Sequence, residues 1–471
     1  MQKRSGPGIS CFVFRIFLLG KNPDGGKIKP QSTPVFHFSS PVFLYLLSLV
    51  LLFLLLPTGT FASPTLPISG QLRFTGTVSD VEPDSLLGVF EEGNYFDGQA
   101  DLRLMNTHYF SDRVYLVTHY EAVTAGGDTR EQTNELLDLI GTSGPAIIFR
   151  DYPIEDDRRL MDLTHIVSDE NGRIAYHRLD RLALGIRYKR GAVIIGRQAQ
   201  TWGNGLIFNP MDLFNPFAPT DIRRDYKIGD DMISASFSTG RLGDVQVLAV
   251  PRRDLEHDIR WDASSLAAKW HVSRGTLELD FMGARHYDDY VVGLGGAGYL
   301  GNAAWRMDGT WTFLKDDPNA FEEDDGFFTF VANMDYSWVW GGKNFYGFLE
   351  FHHNGLGRTD YIEAFFDMNV LERLERGEIF TLGRYYLSGL VQFEIHPLVN
   401  LFCTVIENLE DPSGVVLPRL LWNAKQNLQI TLGASIFTGG TDTEFGGIGI
   451  PFTPVYLKSA NNAFVWVTWY F

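Results

Sequence analysis

From Gly70 onward, apolar residues recur at every second position of the chain, in segments of about 9 to 14 residues. In the segment 303–313 one face carries Trp305, Met307, Gly309, Trp311 and Phe313, and the other carries Arg306, Asp308, Thr310 and Thr312. A strand built this way must place its apolar face against a core or lipid and its charged face in water. The pattern therefore predicts half-buried β-strands along most of the chain.

Eighteen segments share this alternation, and we expect about eighteen strands, with sixteen as the alternative count. They are 70–79, 98–108, 112–122, 174–189, 192–200, 231–239, 244–252, 263–273, 275–287, 288–299, 301–315, 326–340, 343–354, 378–394, 398–410, 414–425, 427–438 and 460–471. The segment 288–299 has the weakest pattern because it is rich in glycine. An even number of strands is typical of antiparallel barrels in bacterial outer membranes.

The connections between these segments alternate between short and long along the chain. The links 109–111 and 341–342 are short, whereas 123–173 and 201–230 are long, and only 287–288 is short where a long link is due. Short turns on one rim and long loops on the other are typical of a transmembrane β-barrel. A soluble β-sandwich is the alternative for any single hairpin, but sandwiches do not usually sort their loops in this way.

The last segment of the chain is alternating and ends on an aromatic residue. One of its faces consists of Ala463, Val465, Val467, Trp469 and Phe471. This segment resembles the C-terminal strand of Gram-negative outer-membrane β-barrels. The resemblance implies that Trp469 and Phe471 form an assembly signal, with the barrel-assembly machinery as a partner. The chain is thus predicted to be an all-β, transmembrane antiparallel β-barrel of the porin-like class, in contact with outer-membrane lipid and lipopolysaccharide. A sheet in lipid has to close, since unpaired backbone groups there cost several kcal/mol each.

The front of the chain carries a different signal. Residues 42–56 form one apolar run, too short for a comfortable membrane-spanning helix and suited to a signal-peptide core. The small residues around Thr60 and Ala62 predict cleavage after Ala62. We therefore expect residues 1–62 to be an N-terminal extension and signal peptide that is removed, and residues 63–471 to form a single barrel domain. The true start codon stays open, because 1–34 is longer than an ordinary leader.

The charge and the cysteines exclude several functional classes. The chain holds 40 basic and 57 acidic residues, a net charge of −17. Without residues 1–62 it would hold 34 basic and 56 acidic residues, a net charge of −22. So acidic a chain argues against nucleic acid as a partner. With only Cys11 and Cys403, neither a disulfide framework nor a cysteine-rich zinc site is expected. We expect no cofactor and no metal.

The polar strand faces would line an aqueous lumen, since eighteen strands make a barrel of porin size. The charges on these faces are balanced in sign, which favours ion pairs between neighbouring strands. The predicted pore-lining residues of the strands are Arg181, Arg187, Arg197, Glu278, Asp280, Arg306, Asp308, Glu350, Arg384 and Glu394. The aromatic residues predicted for the lipid interfaces are Trp202, Trp270, Tyr336, Trp338, Trp340 and Tyr385.

The most distinctive stretch runs from Gly196 to Tyr226 and contains two Asn-Pro steps, which favour defined turns. Its apolar residues need a surface to pack on. We therefore expect the loop 201–230 to fold into the lumen and narrow it, with Arg223, Arg224 and Asp225 near the constriction. A rigid loop that caps the rim is the alternative. Over about 30 residues, the pattern Gly-Arg-Gln, Trp-Gly and Asn-Pro resembles porin-like and alginate-export-type barrels. The resemblance implies passage of a hydrophilic solute, either anionic or a saccharide.

Two long loops show helical patterns. Thr129 and Gln132 fit a capping box ahead of a leucine-rich turn, and Ile362, Leu371 and Leu374 recur at helical spacing. We expect both helices to pack on the barrel rim.

Hydrolytic chemistry is the weaker alternative. The candidates are His286 with Asp288, the pair His352 and His353, and Ser264 or Ser265 with His257, but no nucleophile motif such as G-x-S-x-G surrounds them. We predict a non-enzymatic diffusion channel. A sheath or surface receptor that holds a protein partner is the other alternative, and the oligomeric state is not predicted.

Overall fold

The computed structural model describes residues 68–140, 156–170, 172–216, 226–240, 243–254, 256–315, 325–365 and 367–471. The predicted signal peptide and its cleavage site lie outside these residues. Within them, no helix is both long and apolar enough to cross a membrane. The main sheet has 19 strands, eighteen of which close into an antiparallel barrel. The predicted fold class and the count of eighteen strands are confirmed.

Each barrel strand pairs with its neighbours in sequence. The eighteen strands are β1 (Ile68–Val81), β2 (Gly93–Tyr109), β3 (Val114–Gly127), β5 (Arg173–Tyr188), β6 (Gly191–Gln198), β7 (Asp230–Ser238), β8 (Asp244–Arg253), β9 (Ile259–Arg274), β10 (Leu277–His286), β11 (Asp289–Leu300), β12 (Ala303–Phe313), β13 (Gly326–Trp340), β14 (Lys343–His353), β15 (Tyr385–His396), β16 (Val399–Asn408), β17 (Ser413–Lys425), β18 (Leu428–Thr438) and β21 (Asn461–Tyr470). The short strand β4 (Thr164–Glu170) pairs with β5, and β19 (Ile448–Gly449) pairs with β20 (Tyr456–Leu457). The helices are α1 (Asp128–Ile140), α2 (Tyr361–Ala364) and α3 (Met368–Glu375).

The barrel closes where the first strand meets the last. β1 and β21 pair from Gln71 with Tyr470 to Asp80 with Asn461. One residue further, the Gly70 N–H donates to the Phe471 carbonyl at 2.8 Å, and the Phe471 N–H donates to the Gly70 carbonyl at 3.0 Å. A side chain at Gly70 would meet the Phe471 ring, since a Cβ there would lie 2.6 Å from it. Glycine at this position therefore lets the terminal aromatic residue close the sheet.

The two faces of the wall differ as the alternation predicts. On β12, Met307 and Trp311 are 45% and 39% exposed, whereas Asp308 and Thr310 are buried. The exposed apolar residues form the outer face of the barrel, and the polar residues point inward. An apolar exterior around a polar interior is the arrangement found in transmembrane barrels.

The connections are also sorted as predicted. Links such as 189–190, 275–276 and 341–342 stand on one rim, and loops such as 82–92 and 354–384 stand on the other. The link 287–288 is two residues long although it lies on the long-loop rim.

Two local predictions need correction. Helix α1 is present, but it begins at Asp128, and Asp97 of β2 accepts from the Thr129 N–H and hydroxyl at 3.1 and 2.6 Å. The predicted capping box is therefore wrong, because a neighbouring strand supplies the cap. The segment predicted as a strand from residue 378 begins only at Tyr385. Residues 378–384 belong instead to the β14–β15 loop (residues 354–384).

Candidate functional site

The β6–β7 loop (residues 199–229) packs against the inner side of the wall. Its Trp202, Met211 and Phe214 share a buried apolar cluster with residues of five consecutive strands, β7 to β11. Those residues are Met232, Leu248, Val250, Ala267, Met282, Ala284 and Val291. The Trp202 indole N–H donates to Gln246 Oε1 at 2.6 Å, and the side chain is 2% exposed. The prediction that Trp202 belongs to the interfacial aromatics is therefore wrong.

Glycines in β11 make room for this loop. A Cβ at Gly293 would lie 3.0 Å from the Met282 methyl group on β10 and 3.4 Å from the Met211 methyl group of the loop. A Cβ at Gly295 would lie 2.5 Å from Asp308 Oδ1 and 3.1 Å from Asn204 Nδ2. The same glycines weaken the strand pattern of β11 in the sequence. Gly295 is explained by the close packing of Asp308 and of the loop residue Asn204 against this strand.

The Glu350 carboxylate on β14 binds residues 206–208, the part of the β6–β7 loop that reaches the opposite wall. It accepts the backbone N–H groups of Leu206, Ile207 and Phe208 at 2.7, 3.0 and 2.8 Å. Asn333 on β13 donates to it as well, at 3.1 Å. Glu350 is 1% exposed. Its hydrogen-bonding capacity is used by the loop, so Glu350 anchors the loop to the wall.

Asp308 on β12 acts in the same way. It accepts from the backbone N–H of Asn204 and, at 2.8 Å, from the Asn204 side chain. Beyond it, the Phe208 ring stacks on His352 of β14, with centroids 4.2 Å apart. The loop thus leaves the wall at β6, contacts β8 through Trp202, and reaches β14 through Phe208. Asp308 and Glu350 were predicted to line the pore, and the structure places both beneath this loop.

Arg197 lies in a buried ion cluster at the start of the loop. Its guanidinium donates to Asp231 at 2.9 Å, to Asp156 at 2.9 Å and to the Met161 carbonyl at 2.6 Å. Burial alone would raise the pKa of Asp156, but the guanidiniums of Arg159 and Arg197 outweigh it and lower the pKa to about 2. Arg197 is 1% exposed. Because it lies on β6 and binds Asp231 of β7 and Asp156 of the β3–β5 loop, it fastens that loop to both strands.

A row of charges covers the inner face of β1, β2, β3 and β5. Its ion pairs are Arg73 with Asp101, Arg103 with Asp180, Arg178 with Glu121, and Arg181 with Asp180. The register between β3 and β5 shifts at His119 and Tyr120, which leaves Asp180 as an extra residue on β5. The bulge lets Asp180 and Arg181 both reach this row. Strict alternation along β5 predicts that Arg181 faces inward but that Arg178 and Asp180 face outward. The bulge reverses this for Arg178 and Asp180, and nothing in the sequence predicts the bulge.

Two arginines of this row have unused donors. Arg103 and Arg178 flank Glu121 on the neighbouring strands. Among the described residues, Arg103 Nη1 and Arg178 Nη2 are buried and have no hydrogen-bond partner. The Arg103 guanidinium also lies 3.6 Å from the centroid of the Tyr226 ring, at the end of the β6–β7 loop. Buried guanidinium N–H groups normally bind an acceptor, so these two nitrogens are exceptions among the polar groups of the wall.

The other predicted pore residues are distributed around the wall. Arg187 is exposed and lies 4.5 Å from the centroid of the Tyr115 ring, and Glu278 is exposed on β10. The remaining members are held by neighbours: Asp280 by Lys269 and His271, Arg306 by Asp335, Glu394 by Asn344, and Arg384 by the Gly357 carbonyl. Arg223, Arg224 and Asp225 lie outside the described residues.

One of the hydrolase candidates forms a hydrogen-bonded chain. Ser265 Oγ lies 2.9 Å from His286 Nδ1, and His286 Nε2 lies 3.1 Å from Glu378 Oε1. Ser265 also accepts from Arg252 Nη1 at 2.8 Å, and both Ser265 and His286 are less than 5% exposed. This row of hydrogen bonds differs from the predicted pair of His286 with Asp288, because Asp288 forms ion pairs with Arg285 and Lys315 instead. Within the described part of the chain, no three His, Cys, Asp or Glu residues are grouped to hold a metal ion.

No protein-family model matches the chain, and no curated protein matches it in sequence. Solved structures of similar shape include OccAB3 of Acinetobacter baumannii, with a TM-score of 0.49 and 10% identity over 86% of this chain and 100% of that one. Pseudomonas aeruginosa OccK8 (OprE) has a TM-score of 0.47 and 8% identity, with coverage of 86% and 97%. Pseudomonas aeruginosa OpdK, solved with vanillate, has a TM-score of 0.45 and 9% identity, with coverage of 86% and 98%.

Proposed function

We propose that the chain is a porin-like channel of a Gram-negative outer membrane, through which small hydrophilic solutes diffuse. The observation that carries the proposal is the closed eighteen-stranded barrel with an apolar outer face and a charged inner face. Such a wall is compatible with lipid outside and with water inside. The β6–β7 loop narrows the lumen between β6 and β14, and Glu350 and Asp308 fix its position.

We further propose that small anions pass more readily than cations. The support is the excess of basic groups in the charged row on β1, β2, β3 and β5, where four arginines face the carboxylates of Asp101, Glu121 and Asp180. Guanidinium groups bind carboxylate and phosphate oxygens with good geometry. The second solute class is a neutral saccharide, for which this row would give no preference.

The test is the reversal potential of the protein in a planar bilayer under a salt gradient. A potential whose sign shows anion preference, reduced in Arg103→Gln and unchanged in the surface variant Arg260→Gln, is the expected result. Currents without ion preference would favour a saccharide. The absence of channels in a folded, inserted barrel would overturn the proposed function.

We propose a channel rather than an enzyme. The Ser265, His286 and Glu378 chain has the composition of a nucleophile, a base and an orienting acid. However, Ser265 is buried and its hydroxyl is bonded to both Arg252 and His286. These contacts favour a role in fastening loops.

A further inference from the structure

The β14–β15 loop reaches across the rim to the two-residue link 287–288. Arg373 of α3 forms an ion pair with Asp289, at the start of β11. The Arg376 guanidinium lies 3.8 Å from the centroid of the Tyr287 ring. The loop thus covers the place where the long-loop rim has its shortest connection, and its contacts there are charged.

Glu378 is the centre of this contact. It lies 3.1 Å from His286 Nε2, and Arg373 and Arg376 approach its carboxylate to 3.7 and 3.8 Å. Burial alone would raise the pKa of Glu378, but His286 and the two arginines outweigh it and lower the pKa to about 2. On the other side of the imidazole, Ser265 lies 2.9 Å from Nδ1. Both ring nitrogens are therefore used.

The same imidazole contacts the β6–β7 loop. The Phe214 ring meets the His286 ring edge to face, with centroids 5.5 Å apart and planes at 87°. Phe214 is 4% exposed and belongs to the cluster that seats the loop against β7 to β11. A ring held at both nitrogens presents a fixed face to Phe214, and edge-to-face aromatic pairs depend on that orientation.

We propose that His286 couples the β14–β15 loop to the β6–β7 loop. When Glu378 separates from His286 at the rim, the β6–β7 loop packs less tightly against the wall and narrows the lumen less. Release leaves His286 Nε2 without its partner, and the ring then turns toward water and away from Phe214. The two loops therefore open together. This inference rests on the proposed function for its consequence, a wider pore, but the coupling itself can be measured without any transport.

Hydrogen exchange of the full-length, membrane-inserted protein tests the coupling. Glu378→Ala is expected to speed exchange on the order of tenfold in both 354–384 and 206–214. Glu372→Ala removes an exposed partner of Arg376 on the same helix and is expected to leave both segments unchanged. Asp289→Asn removes the ion pair with Arg373 but keeps Glu378 on His286, so it should speed exchange in α3 (Met368–Glu375) and leave 206–214 unchanged. If Glu378→Ala fails to insert, Glu378→Gln is used instead. It is expected to speed exchange in the same two segments by a smaller factor.

Faster exchange of 354–384 with unchanged 206–214 in the Glu378 variant would overturn the coupling. Single-channel recording then tests the consequence, for which larger or more frequent openings are expected in Glu378→Ala than in Glu372→Ala. If the coupled exchange is observed but wild-type protein gives no channels, the coupling stands and the proposed function fails.

Discussion

At the scale of single residues, buried carboxylates fix the loops of this barrel. Glu350 accepts three hydrogen bonds from the β6–β7 loop and Asp308 accepts two, and Asp156 and Glu378 each face two arginines on the rim. A charge is retained in such a place only when it is paired or fully hydrogen-bonded. The loops are therefore held by a few polar contacts that single substitutions can remove.

Glu350→Ala is expected to free the end of the β6–β7 loop. Three backbone N–H groups would lose their acceptor, and each unsatisfied buried group costs about 1–3 kcal/mol. The loop should become sensitive to protease near Phe208 while the barrel remains inserted. Glu394→Ala, which removes a half-buried carboxylate near the opposite rim, is the control. Equal protease resistance of both variants would contradict the anchoring role.

Acid is expected to loosen the rim loops before the strands. The pKa values of Asp156 and Glu378 are lowered to about 2, whereas these groups titrate near pH 4 in an unfolded chain. Their contribution to stability is therefore present above about pH 4 and is lost as the pH falls through 2. Protection against hydrogen exchange in 156–163 and 354–384, relative to the intrinsic rate at each pH, should fall between pH 4 and pH 2. Unchanged protection at pH 2 would contradict the assignment.

At the scale of elements, the β6–β7 loop packs closely on β11 because β11 has a glycine at the point of contact. Gly295→Val is expected to push the loop away, because even a Cβ there would lie 2.5 Å from Asp308 Oδ1. Gly283→Val on β10 is the matched control, since nothing lies within 4 Å of a Cβ at that position. Protease sensitivity of the loop should rise in the first variant alone. A loop equally protected in both would show that the contact is not needed.

The strands could be predicted from the sequence because each has one face in contact with water and one in contact with apolar surroundings. On β12 this alternation identifies the inward residues correctly, including Arg306 and Asp308. The site was less predictable. The role of Glu350 depends on backbone N–H groups 142 to 144 residues away, and Asp180 depends on a bulge. Neither long-range hydrogen bonds nor register shifts leave a periodic signal in one sequence.

At the scale of the whole molecule, the barrel depends on the closure of β1 on β21. Phe471 contacts Trp469 with centroids 5.3 Å apart and pairs with the backbone of Gly70. Phe471→Ala is expected to lower the yield of inserted barrel several-fold, measured by heat-modifiable migration on a gel. Phe452→Ala, at an 85% exposed loop residue, should not change that yield. Equal yields would contradict a role for the terminal ring in assembly.

In the proposed channel, the β6–β7 loop narrows a water-filled lumen. Single-channel conductance of the wild type, compared with a variant in which a short Gly-Ser link replaces residues 201–228, tests it most directly. Because the loop runs along the inner side of the wall from β6 to β14, a small conductance is expected in the wild type and a several-fold larger one in the variant. Equal conductance in both proteins, or none from either inserted barrel, would contradict it.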